Sequence, residues 1–157
     1  MADERTQQQE LSELRDKLAE LAERKAKRDA EDDARRTIER RKRDLLDEEA
    51  VAAAEEKHGR SIEYGERMVD GRKIAIVRTD LGVVIVKRPN HVIFKRFQDS
   101  GEANSEEFER LVRPCLVHPD SATFDRYLEE QPGILGRVAG AVATLAGIRM
   151  KELSGKS

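Results

Sequence analysis

The sequence predicts an α+β protein in which a long, charged, coiled-coil-like N-terminal helix precedes a three-stranded antiparallel meander and a C-terminal bundle of about four short helices. Three observations lead there. About residues 9–57 contain neither proline nor glycine and are dense in Ala, Glu, Lys, Arg and Leu, a helix composition. Three short β-branched segments follow, separated by Asp70-Gly71 and by Thr79-Asp80-Leu81-Gly82. Past Pro89, breakers at Ser100-Gly101, Pro114, His118-Pro119-Asp120 and Gln131-Pro132-Gly133 divide the chain into helix-length pieces.

The helix comes first. Leu11, Leu14, Leu18 and Leu21 recur at 3-4-3 spacing, a narrow leucine seam on one face. Lys25 and Arg28 take the next seam positions, so the register fails after two heptads. A weaker stripe resumes through Ala34, Ile38, Leu45 and Ala52. The four leucines are candidates for self-association, and without a partner the first half of so exposed a helix is marginal. His58-Gly59 ends it, glycine sitting just past the last turn.

Strands are expected at 62–69, 72–79 and 82–88. Asp-Gly between the first two is a short-hairpin signal. Val83-Val84-Ile85-Val86 is apolar at every position, so this strand is expected to be covered on both faces. Asn90 is positioned to cap a helix carrying Val92, Ile93, Phe94 and Phe97. Asn104 and Glu107 form a capping box for the next helix, whose apolar face is Phe108, Leu111, Val112 and Cys115. His118-Pro119-Asp120 is a break and a cap, after which Phe124, Tyr127 and Leu128 mark a third helix. Leu135, Val138, Val142 and Leu145 stripe a last one reaching about residue 153, with Arg149 and Lys151 near its end. The expected organisation is therefore an arm at 1–60, a small α+β domain at 61–153 and a disordered tail at 154–157.

Composition narrows the function. Charged residues are 39% of the 157 and aromatics 4%, against about 25% charged in an ordinary globular protein. A chain like that has a solvated helical part. Thirty Lys and Arg nearly balance 32 Asp and Glu, for a net charge of −2, so no nucleic-acid footprint stands out. The cluster Arg35-Arg36 and Arg40-Arg41-Lys42-Arg43 lies among Glu31, Asp32, Asp33, Glu39, Asp44 and Asp47, with no aromatic in residues 1–60 to stack on bases. It reads as a solvated helix face, and a nucleic-acid partner is not expected. One cysteine permits no internal disulfide. No secretory signal follows Met1, and the longest apolar stretch, Ile134 to Ile148, is shorter than the roughly 20 residues a bilayer requires and carries Arg137. A soluble cytoplasmic protein without a membrane partner is expected.

No chemistry-bearing constellation emerges. Cys115 and His118 are a lone C-x-x-H without the second pair that structural zinc needs. A cysteine on an apolar face with Phe108 and Leu111 reads as a structural thiol. Gly133, Gly136 and Gly140 lack the Lys-Ser/Thr of a phosphate loop; Gly136, Gly140 and Gly147 read better as points where another helix approaches closely. No catalytic residue, metal or cofactor is expected, and hence no enzyme.

One order of residues is familiar. Val86-Lys87-Arg88-Pro89 ends a strand and Phe94-Lys95-Arg96-Phe97 follows. Then come Leu111-Val112-Arg113-Pro114-Cys115-Leu116-Val117-His118-Pro119, Tyr127-Leu128-Glu129-Glu130-Gln131-Pro132-Gly133 and a closing Ala/Gly-rich helix. Over about residues 80–150 this resembles the tail assembly chaperones, or chaperone-like proteins, of tailed bacteriophages. The arm has no counterpart in that pattern. The resemblance implies a non-enzymatic viral protein of the infected bacterium's cytoplasm. It would keep the long helical tape measure protein soluble during tail assembly. Such a role calls for an apolar groove with a polar rim. Val92, Phe94, Phe97, Leu135, Val138, Val142 and Leu145 are the candidates for that groove, the competing reading being that they are core. The alternative functions are a structural virion or scaffolding component, or a coiled-coil adaptor.

Overall fold

The computed structural model describes residues 2–67 and 71–147. It is a mixed helix–strand protein in the order α1 (Ala2–His58), β1 (Ser61–Glu63), β2 (Ile74–Thr79), β3 (Gly82–Lys87), α2 (His91–Ser100), α3 (Ser105–Val112), a 3₁₀ turn (Arg113–Cys115), β4 (Leu116–His118), α4 (Ser121–Glu130) and α5 (Ile134–Leu145). Two compact units divide it at Arg43/Asp44, inside α1 and not at the residue-60 boundary expected from the glycine.

The first unit is helix alone. Nearly every described side chain is exposed, Asp32 being half-buried. Charged residues with high helix propensity suffice locally, and Thr37 returns its hydroxyl to the Asp33 carbonyl at 2.9 Å.

The second unit begins with the end of α1, because residues there have something to bury. Val51 and Ala54 lie against Ile74, Ile76, Val83 and Ile85, with Ala50 and Val117 at the margin. The opposite sheet face carries Ala75, Val77, Val84 and Val86 beneath α5, α3 and Phe124. Successive side chains on a strand point to opposite faces. The all-apolar run Val83–Val86 is therefore buried on both, as its composition requires. The Val83 N–H donates to Asp47 Oδ1 at 3.0 Å, which ties α1 to the strand.

The sheet has four strands in the order β1-β2-β3-β4. β2 and β3 form the expected antiparallel hairpin, Thr79 opposite Gly82. The first pairing differs from the meander. β1 runs parallel to β2, with Ser61 opposite Ile74 and Glu63 opposite Ile76. A parallel neighbour cannot be reached through a two-residue turn. The strand stops at Glu63, whose carbonyl accepts from the Glu66 N–H at 3.1 Å in a turn with Gly65 at φ 98°. That positive φ is open to glycine at little cost. Of the described part of the expected strand at 62–69 only Ile62 and Glu63 are strand, and Met68, Val69 and Asp70 lie outside the described residues. The fourth strand, β4, places His118 opposite Ile85 and Leu116 opposite Val86.

The helices begin where their caps predict. Asn90, Asn104 and Asp120 side chains accept from the N–H groups of Val92, Glu107 and Thr123 at 2.8, 3.0 and 2.8 Å. The Asp120 carboxyl is held below its ordinary range by those Thr123 bonds. Helix α5 is described to Leu145, where Arg88 Nε donates to the Leu145 carbonyl at 3.1 Å. The continuation to 153, with Arg149 and Lys151, and the tail at 154–157 lie outside the described residues. Among the described residues no helix is long and apolar enough to cross a membrane.

Candidate functional site

The groove expected from the apolar stripes is not where those stripes lie. Val138, Val142 and Leu145 are at most 1% exposed and Leu135 is 7% exposed, all inside the main core. The reason is the sheet: α5 is the helix that covers its second face, so its stripe is consumed by the protein's own strands. Phe94 is half-buried against the same core, while Val92, 70% exposed, stands clear of it. The buried small residues of α5, Ala139, Gly140, Ala141 and Ala143, lie in a helix packed chiefly on α3 and β2, whereas a Cβ added at Gly136 or Gly147 would meet nothing within 4 Å, so no helix approaches closely at those two glycines.

Phe97 is also a core residue, 8% exposed, but its edge lines a cleft. The cleft measures about 570 Å³ and lies between α2 and α3. Ile93, Phe97, Leu111 and Pro114 give it an apolar floor, and Arg96, Glu106, Glu107, Glu109, Arg110 and Arg113 surround that floor with charge. Helix periodicity builds it. Ile93 and Phe97 are four apart on α2, and Glu107 and Leu111 four apart on α3, so each pair shares a face. The Phe97 ring lies between Phe94 and Phe108, at centroid distances of 6.3 and 6.1 Å in tilted arrangements. That aromatic row fixes α2 against α3.

The rim is largely self-neutralised. Arg110 pairs with Glu106 at 2.8 Å and Glu107 at 3.0 Å. Arg113 bonds Asp125, Glu109 and the Ser121 hydroxyl, and its guanidinium sits 5.9 Å above the Phe124 ring. The Asp125 bond, with help from Glu109, raises the Arg113 pKa further against the opposing effect of burial, so it is a fixed cation. Arg96, on the α2 side, joins none of these pairs. Apolar side chains ringed by largely paired charges do not demand a charged ligand. Sequence reading reached this cleft only through Phe97, because Ile93, Leu111 and Pro114 belong to three different segments. The Asn104 cap that puts Glu106 and Glu107 at the start of α3 was its other visible component.

The single C-x-x-H motif holds no reactive pair. Cys115 is 1% exposed, and burial pushes its thiol up to about 11, with Lys87 opposing. Burial also lowers the His118 pKa, against the pull of Asp47 and Asp120. Among the described residues no group of three or more His, Cys, Asp or Glu side chains could share a metal ion. Because the thiolate is the nucleophile, alkylation of Cys115 by iodoacetamide at neutral pH is expected to be very slow in the native protein and fast in denaturant. Equal rates, read by mass spectrometry, would contradict its burial.

The leucine seam lies on the arm, fully outside any core. Leu11, Leu14, Leu18 and Leu21 are 54%, 55%, 64% and 59% exposed.

No protein-family model, curated protein or solved structure matches the chain.

Proposed function

We propose that the protein is a non-enzymatic, phage tail assembly chaperone-like protein that acts in the host cytoplasm and holds a helical client such as the tape measure protein. The observation that carries this reading is the α2–α3 cleft, an apolar floor inside a charged rim. Its shape suits a client helix that presents one or two apolar side chains and is later released. The resemblance over residues 80–150 supplies the client class, and its aromatic-basic segment Phe94-Lys95-Arg96-Phe97 contributes both floor and rim.

The test is co-expression with the tape measure protein of the same genome. The client should stay soluble with the wild type and co-purify with it. Ile93→Ser, which removes apolar floor without filling the cleft, should weaken client binding about tenfold. Arg96→Glu on the rim should have a smaller effect that depends on salt. A client that is equally insoluble with and without the protein would refute the reading. Abundant copies in purified virions, counted by mass spectrometry, would favour a structural virion component.

A further inference from the structure

The arm leaves a leucine face uncovered, and its flanking charges say what covers it. In the heptad set by Leu11, Leu14, Leu18 and Leu21, the preceding seam positions are Glu4 and Gln7 and the following ones Lys25 and Arg28. All eight side chains are exposed on one continuous helix. We infer that this face is occupied by a second copy of the chain in antiparallel orientation, centred between Leu14 and Leu18.

In that alignment Leu11 stacks on the partner subunit's Leu21 and Leu14 on the partner subunit's Leu18. Gln7 then lies beside the partner subunit's Lys25, and Glu4 beside the partner subunit's Arg28, each contact occurring twice by symmetry. The seam is self-complementary, as a two-fold interface must be. A parallel, in-register pair stacks Lys25 on Lys25, Arg28 on Arg28 and Glu4 on Glu4, in positions where desolvation makes like charges costly. The flanks do not reverse the choice. Antiparallel pairing sets Glu10 near the partner subunit's Arg24, while Arg15 and Lys17 each meet their own copies near the axis. It also sets Asp3 near the partner subunit's Glu31, whereas parallel pairing sets Glu10 near the partner subunit's Arg15 and Arg24 near the partner subunit's Asp29, so the flanks by themselves favour the parallel pair. These flanking positions are solvated and contribute little either way, so the seam decides. With only two heptads of leucine the association is reversible and concentration-dependent. It is independent of what the α2–α3 cleft binds.

Glu4 and Arg28 are 24 residues apart, about 36 Å along a helix that rises 1.5 Å per residue, which gives a clean test of orientation. Full-length Glu4→Cys and Arg28→Cys variants, one carrying a mass tag, are mixed and oxidised. The mixed disulfide should dominate, and the unmodified protein, whose Cys115 is buried, should give none. Arg28→Glu should raise the dimer dissociation constant about tenfold, and adding Glu4→Arg should restore it, because the pair is then reversed and not lost. Leu14→Lys with Leu18→Lys should yield a monomer with an unchanged circular dichroism melt of the second unit. Same-site disulfides without charge-swap rescue would overturn the antiparallel register. A monomer at every concentration in sedimentation would overturn the pairing altogether.

Discussion

Phe124→Ala is expected to destabilise the second unit by about 3–5 kcal/mol, the range for emptying a fully buried phenylalanine site. Phe124 is 0% exposed and is the largest of the fully buried side chains. Its ring joins α4 to the core formed by Leu111, Val112 and Cys115. Collapse around the missing ring is restricted, because the sheet lies beneath that core and Arg113 holds the outer side through Glu109, Ser121 and Asp125. The substitution also leaves the Arg113 guanidinium without the aromatic face beneath it. Guanidinium unfolding with a circular dichroism readout measures the loss, and the melting temperature should fall by about 10 °C or more. Phe124→Leu keeps most of the volume and should cost about 1–2 kcal/mol. If both variants unfold like the wild type, α4 is not part of the cooperative core.

The features that were legible in the sequence are those written in local chemistry. A stretch without proline or glycine and rich in charge gave α1. Asn90, Asn104 and Asp120 gave the starts of α2, α3 and α4, because a cap needs only its own residue and the two or three that follow. The hairpin of β2 and β3 was visible from the β-branched run and the tight Thr79–Gly82 turn. What was not legible depends on contacts distant in sequence. Asp70-Gly71 looks like a hairpin turn, yet the strand before it ends at Glu63 and pairs parallel to β2. β4 is three residues long, too short for alternation to show, and exists because Leu116–His118 finds the free edge of β3. The α5 stripe carries the same pattern whether it meets a client or a sheet, and only the fold shows that the sheet takes it. Arg137, the charge that interrupts that helix, donates to the Arg78 carbonyl at 2.8 Å, a partner 59 residues away in the chain. The cleft was half visible through Phe97, and the exposure of the four arm leucines agrees with their spacing on an uncovered helix.

Gly82→Ala should be strongly destabilising, and among the glycines whose surroundings are described it is the one where an added methyl meets a neighbour. Gly82 opens β3 at φ 149°, backbone that an L-residue enters at a cost of about 1–3 kcal/mol. A Cβ there would strike the Tyr127 Oη and stand 3.3 Å from its Cζ. The turn has little freedom to yield. The Thr79 hydroxyl accepts from the N–H groups of Leu81 and Gly82 at 3.2 and 3.1 Å, and donates to the Gly82 carbonyl at 2.6 Å. One residue later Asp47 holds the Val83 N–H. Either the Tyr127 ring moves off the turn or the hairpin rotates against α1. Steric crowding of this kind adds about 1–3 kcal/mol, for an expected total of about 2–6 kcal/mol. The two contributions separate in a double-mutant cycle with Tyr127→Phe, which removes the hydroxyl that the new methyl would strike. If crowding and backbone both act, the alanine should cost less in the phenylalanine background but still be clearly unfavourable. An alanine that costs nothing in either background would show that the turn accepts another conformation. Full rescue by phenylalanine would show that the positive φ itself carries no strain.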